Sequence, residues 1–150
     1  MLPLFWALAM LMSGPQPDPG IRLSLHQEFG RALYRTCRLE LVIYEGAAGA
    51  SLLCVRNGLP ARDVVNRRAL TNAEVSRLIR LVRESNLFTG GYVGEDHTAS
   101  DGVFETLRVS RGAETGVLVT TGNTTFGSGT RQTLLVALQT LMRELQNSAR

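Results

Sequence analysis

The chain has 150 residues, 44% of them apolar, with 16 basic residues against 13 acidic ones and a formal charge of +3. That suits one globular domain, large enough to bury a core without structural metals or several disulfides. Every basic residue is arginine, scattered among apolar residues and acids. The basic stripe with exposed aromatics that nucleic-acid binding would want is absent from this pattern.

At the N-terminus, "MLPLFWALAMLMSGPQPDPG" carries a continuous apolar run from Leu2 to Met12. A bilayer-spanning helix needs about 20 such residues, so the run is too short to cross. Its length and polar flank read as the h-region of a secretory signal peptide. Residues 1–20 are therefore expected to be a signal peptide and Pro-rich linker, and 21–150 a single α+β domain. The protein is expected outside the cytoplasm, periplasmic or extracellular, with no membrane span after leader removal. In that setting Cys37 and Cys54 are expected to pair, closing a loop for which chain entropy predicts ~3 kcal/mol. The competing reading is two buried thiols acting as small apolar residues.

Next comes "RLELVIYEG", Arg38 to Gly46, which sets Leu39, Leu41 and Ile43 against Glu40, Val42 and Tyr44. Gly46-Ala47-Ala48-Gly49 reads as a turn and "ASLLCVRNG" as the returning strand, a β-hairpin. Arg62 to Arg68 offers a short third segment. A helix follows from about Asn72 to Asn86, with Thr71 as N-cap and Glu74 three residues on, a capping box. Val75, Leu78, Ile79 and Val82 make its apolar stripe.

"VFETLRV" then sets Val103, Glu105, Leu107 and Val109 against Phe104, Thr106 and Arg108. After a turn at Arg111 to Thr115, "GVLVTT" returns. The last helix, about Thr130 to Gln146, carries Leu134, Leu138, Leu141 and Leu145, widened by Leu135 and Met142, with Ser128 or Thr130 as cap. The expected fold is α+β, a four-stranded antiparallel sheet with two helices on one face, in ββαββα order.

Two polar loops invite chemistry. "GEDHTASDG", Gly94 to Gly102, fails as an EF-hand. With Gly102 at position 6, His97 and Ala99 fall where acids belong and Arg108 where the closing Glu belongs. Its single histidine could become a metal site only by meeting His26 in space. Ser100, His97 and Asp96 are too close in sequence to line up as a triad. The loop reads as a polar turn, with His97 and Asp101 the residues to test. "TTGNTTFGSGTRQT" precedes the last helix, where backbone N–H groups and Arg131 offer an anion site. A P-loop lysine is missing, since the chain contains no lysine. Phe126 belongs to no periodic stripe and is a candidate anchor for a partner.

The succession "LTNAEVSRLIRLVRESNLF", a loop, "DGVFETLRVSRG", a returning strand and a leucine helix resembles the emfourin-like small bacterial domains, spanning about Leu39 to Leu145. The resemblance implies a proteinaceous inhibitor of metalloproteases and carries over no residue roles. The expected function is an exported, non-enzymatic binding domain whose partner is another protein, a protease among the candidates. No cofactor, metal or catalytic residue is expected. The alternatives are a small hydrolase or metal-dependent enzyme using His97 and neighbouring acids, and an envelope structural module.

Overall fold

The structure, a computed structural model, describes residues 20–29, 34–44, 47–56, 63–88, 92–94, 104–121 and 129–149. Its strands are β1 (Ile21–Glu28), β2 (Tyr34–Tyr44), β3 (Ala47–Arg56), β4 (Val64–Ala69), β5 (Tyr92–Gly94), β6 (Phe104–Arg111) and β7 (Glu114–Thr121). Helix α1 (Asn72–Ser85) lies between β4 and β5, and α2 (Thr130–Ser148) follows β7. They form one sheet in the order β4-β3-β2-β1-β6-β7-β5. Six strands are antiparallel, and the three-residue β5 joins β7 in parallel at the edge.

The α+β class stands, but the four-stranded sheet and the ββαββα order are corrected. Two of the strands beyond that count, one of them offered above only as a short segment, explain themselves. β1, "IRLSLHQE", alternates Ile21, Leu23 and Leu25 for only five residues before a polar tail, yet it lies at the centre, between β2 and β6. β4, "VVNRRA", takes up the short third segment from Val64 and runs on to Ala69, a polar edge strand whose charges discourage further pairing. The hairpin turn is also tighter than expected, because Ala47 to Gly49 already pair with Val42 to Tyr44.

Both helices pack on one face. Leu78, Leu81 and Val82 of α1 are buried, with Val75 and Ile79 packed at the margin. Leu134, Leu135, Leu138, Leu141, Met142 and Leu145 of α2 are buried, as the leucine stripe predicts. The capping box is present: Glu74 N–H donates to Thr71 Oγ1 at 3.2 Å, and Thr71 N–H to Glu74 Oε2 at 2.8 Å. Arg68 of β4 donates to the same carboxylate from Nη1 and Nη2, at 2.9 and 2.7 Å, which lowers the Glu74 pKa to about 2. At the other end of α1, Asn86 is in the left-handed region (φ 52°) and turns Leu87 inward. Leu87 sits on Gly116 of β7, where any Cβ would collide with its carbonyl. The cap of α2 is Gly129, without a side-chain bond, rather than Thr130, which is the first helical residue. Ser128 lies outside the described residues.

Antiparallel register sorts the helix-side residues into rungs. One rung runs Leu52, Leu39, Leu25, Leu107, Leu118, all buried. The next runs Cys54, Cys37, Gln27, Glu105 and is the only polar one in the middle of the sheet among the described residues. Among the described residues no helix is long and apolar enough to cross a membrane.

Candidate functional site

The polar rung builds the most developed site in the described structure. Period-two alternation puts Glu105 on the same side as Leu107 and Val109, so its carboxyl points under α2 and the residue is only 7% exposed. Register brings Gln27 beside it from β1 and Cys37 beyond that from β2. Above them, α2 supplies Gln139, Met142, Arg143 and Gln146, spaced i, i+3, i+4, i+7 and hence on one helix face.

A buried carboxylate is costly unless its lone pairs find donors. Gln139 Nε2 donates to both oxygens of Glu105 at 2.8 Å, and Gln27 Nε2 donates to Oε1 at 3.2 Å. Among the described residues, no cationic side chain forms an ion pair with it. Burial pushes its pKa above the ordinary carboxylate value, and the two amide bonds only partly counter that. Next along the rung, Cys37 and Cys54 form a disulfide joining β2 to β3 as directly opposed residues. Gln146 Nε2 points at both sulfurs, 3.3 and 3.4 Å away. The disulfide expectation is met, and its helix cover is more polar than a pair of core thiols would need.

Beside these groups opens a cleft of about 380 Å³. Glu105 and the three glutamines form its polar wall, Phe29 and Met142 its apolar wall, and Arg143 stands at its exposed rim. This arrangement can hold a small group by hydrogen bonds and charge. Among its described lining residues, no nucleophile is paired with a base.

The opposite face of the sheet is different in kind. No described element packs over it, and it exposes Tyr44, Leu53, Val65 and Phe104, between 40% and 61%. Arg22, Arg38, Arg67 and Arg108 share that face with Glu28 and Glu40. Arg22 donates to the Tyr44 hydroxyl at 2.9 Å. His26 is on this face too, with Nε2 3.3 Å from Glu28 Oε1 and a buried Nδ1 that has no hydrogen-bond partner among the described residues.

Of the residues singled out from sequence, His97, Asp101 and Phe126 lie outside the described residues, and so does any meeting of His97 with His26. Arg131 is described: its Nε donates to the Ser85 carbonyl at 2.9 Å, tying the first turn of α2 to the last turn of α1. Among the described residues, no three His, Cys, Asp or Glu side chains gather as a metal site would require. Glu105 and its glutamines were missed, although a signal exists. In the sequence alternation Val103, Glu105, Leu107, Val109, Glu105 is the one charged residue, and the structure buries it with Leu107 and Val109. The chain matches no family model and no curated protein in sequence.

Proposed function

We propose that this chain is an exported, non-enzymatic domain that binds another protein through the helix-free face of its sheet. One observation supports this above the rest. A face with no described cover displays, among the described residues, four large apolar side chains, four arginines and two glutamates. Single exposed apolar residues are ordinary, but several on one flat, net-positive sheet face suit a docking surface. Charge complementarity makes the partner acidic around an apolar centre. A metalloprotease is the narrower candidate, on the strength of the sequence resemblance alone. Export rests on the apolar leader and is in keeping with the Cys37–Cys54 disulfide.

The test is retention of a defined protein from culture supernatant or periplasm by the tagged chain, compared across variants. Leu53→Glu and Arg108→Glu should each abolish retention, whereas Arg80→Ala on the outer surface of α1 should not. Equal retention by all four proteins would sink the proposal. So would retention by anionic vesicles in place of any protein.

A further inference from the structure

A second site, on the other side of the sheet and independent of the docking face, follows from what the polar rung leaves unused. All three glutamines of the cleft direct their NH2 groups into the rung, Gln27 and Gln139 to Glu105 and Gln146 to the disulfide. A side-chain amide has one donor end and one acceptor end, so each keeps its carbonyl oxygen as an acceptor. A carboxylate offers about four lone-pair sites. Oε1 of Glu105 accepts two contacts and Oε2 accepts one, leaving a site on Oε2. The polar wall therefore retains acceptors, one of them on a buried carboxylate that forms no ion pair among the described residues.

From this we infer that the cleft binds a primary ammonium group carried on a short apolar body. An ammonium has three donors and one positive charge, which matches a set of acceptors around one carboxylate. A guanidinium suits the site less well. Its planar fork asks for a free position on each carboxylate oxygen, and Oε1 is already doubly occupied. Phe29 and Met142 offer the apolar wall for the body, and about 380 Å³ is ample for a four-carbon chain. Arg143 at the rim works against a cation, so the chain as it stands is not at its tightest.

The probe is n-butylammonium, titrated into the intact oxidised protein near neutral pH while the side-chain amide NMR signals of Gln27, Gln139 and Gln146 are followed. Expected are saturable shifts with a dissociation constant on the order of millimolar. Butyrate should give none, and n-butanol should bind about tenfold more weakly. Glu105→Gln should weaken butylammonium roughly ten- to a hundredfold, the range for losing a charged hydrogen-bond partner. Arg143→Ala, a change on the exposed rim that leaves the rung intact, should tighten it severalfold. Equal binding of n-butanol and n-butylammonium would show an apolar crevice only and overturn the inference. So would unchanged binding by folded Glu105→Gln, or weaker binding by Arg143→Ala. If Glu105→Gln fails to fold, the ligand series on the unaltered protein and the Arg143 variant decide the matter alone. Neither involves the sheet's open face, so failure here leaves the partner-binding proposal standing, and the reverse holds.

Discussion

Two neighbouring rungs of the same sheet face, two residues apart along each strand, are built on opposite principles. Leu52, Leu39, Leu25, Leu107 and Leu118 need only shape, because apolar groups lose nothing by leaving water. Cys54, Cys37, Gln27 and Glu105 need partners, and α2 provides them from a stripe one position round from its leucines. Leu138, Leu141 and Leu145 join the same apolar core as the first rung, while Gln139 and Gln146 bond groups of the second. The two rungs differ in what removal of a side chain does. A leucine leaves a void, whereas a polar partner leaves a charge or dipole without a donor.

The largest effect expected from that contrast is on the leucine rung. Leu107→Ala should cost about 3 kcal/mol of unfolding free energy in urea, transfer plus cavity. A loss no bigger than a surface substitution's would break the comparison, since the rung would then not be close-packed. Next, replacing Cys37 and Cys54 together by alanine should cost about 2–3 kcal/mol, mostly through the freed unfolded chain. The measurement is the shift in urea midpoint relative to the oxidised protein, and no shift would mean the disulfide constrains nothing beyond the hairpin.

The smallest effect sharpens the polar rung. Because the folded-state pKa of Glu105 is raised, its proton-linked stability is fully present below the unfolded value of 4.5. That contribution is lost as pH rises from there through the folded value. Glu105→Gln, which keeps the shape and removes the buried charge, should therefore gain on the unaltered protein as pH rises. At neutral pH it should be neutral or more stable by about 1 kcal/mol. Arg143, the charged group lining the cleft, should be kept in both proteins. Parallel pH–stability curves would show that Glu105 is ordinarily solvated and that the rung is not the buried site described above.

Much of the frame is legible in the chain. Thr71 and Glu74 announce the start of α1, Asn72 begins it, and the leucine stripe of α2 predicts its buried face residue for residue. The β2–β3 and β6–β7 hairpins follow from period-two alternation about short turns. β1 escapes because its apolar alternation is brief, and β4 shows only as a short segment because Asn66 and Arg68 stand where apolar residues would be expected. Both turn out to face partners. Asn66 donates to the Leu145 carbonyl at 2.8 Å, and Arg68 meets Glu74 and Glu144. Polar groups at inward positions carry no period by themselves, and only a tertiary neighbour makes them interior.

By itself, then, the sequence determined the α+β class, the two amphipathic helices and two hairpins, and left the pairing of Cys37 with Cys54 for strand register to decide. These rest on contacts between near neighbours in the chain, through local hydrogen bonds and side-chain periods of 3.6 and 2. Only the tertiary structure decided that Ile21–Glu28 is the central strand, and that Gln27, Glu105 and Gln139 meet. It also decided that arginines scattered through four strands share one open face. Those outcomes depend on strand order and register between segments far apart in the chain, as Gln27 and Glu105, 78 residues apart, are. Local pattern does not encode that choice, because many registers satisfy the same alternation and packing against the helices selects one.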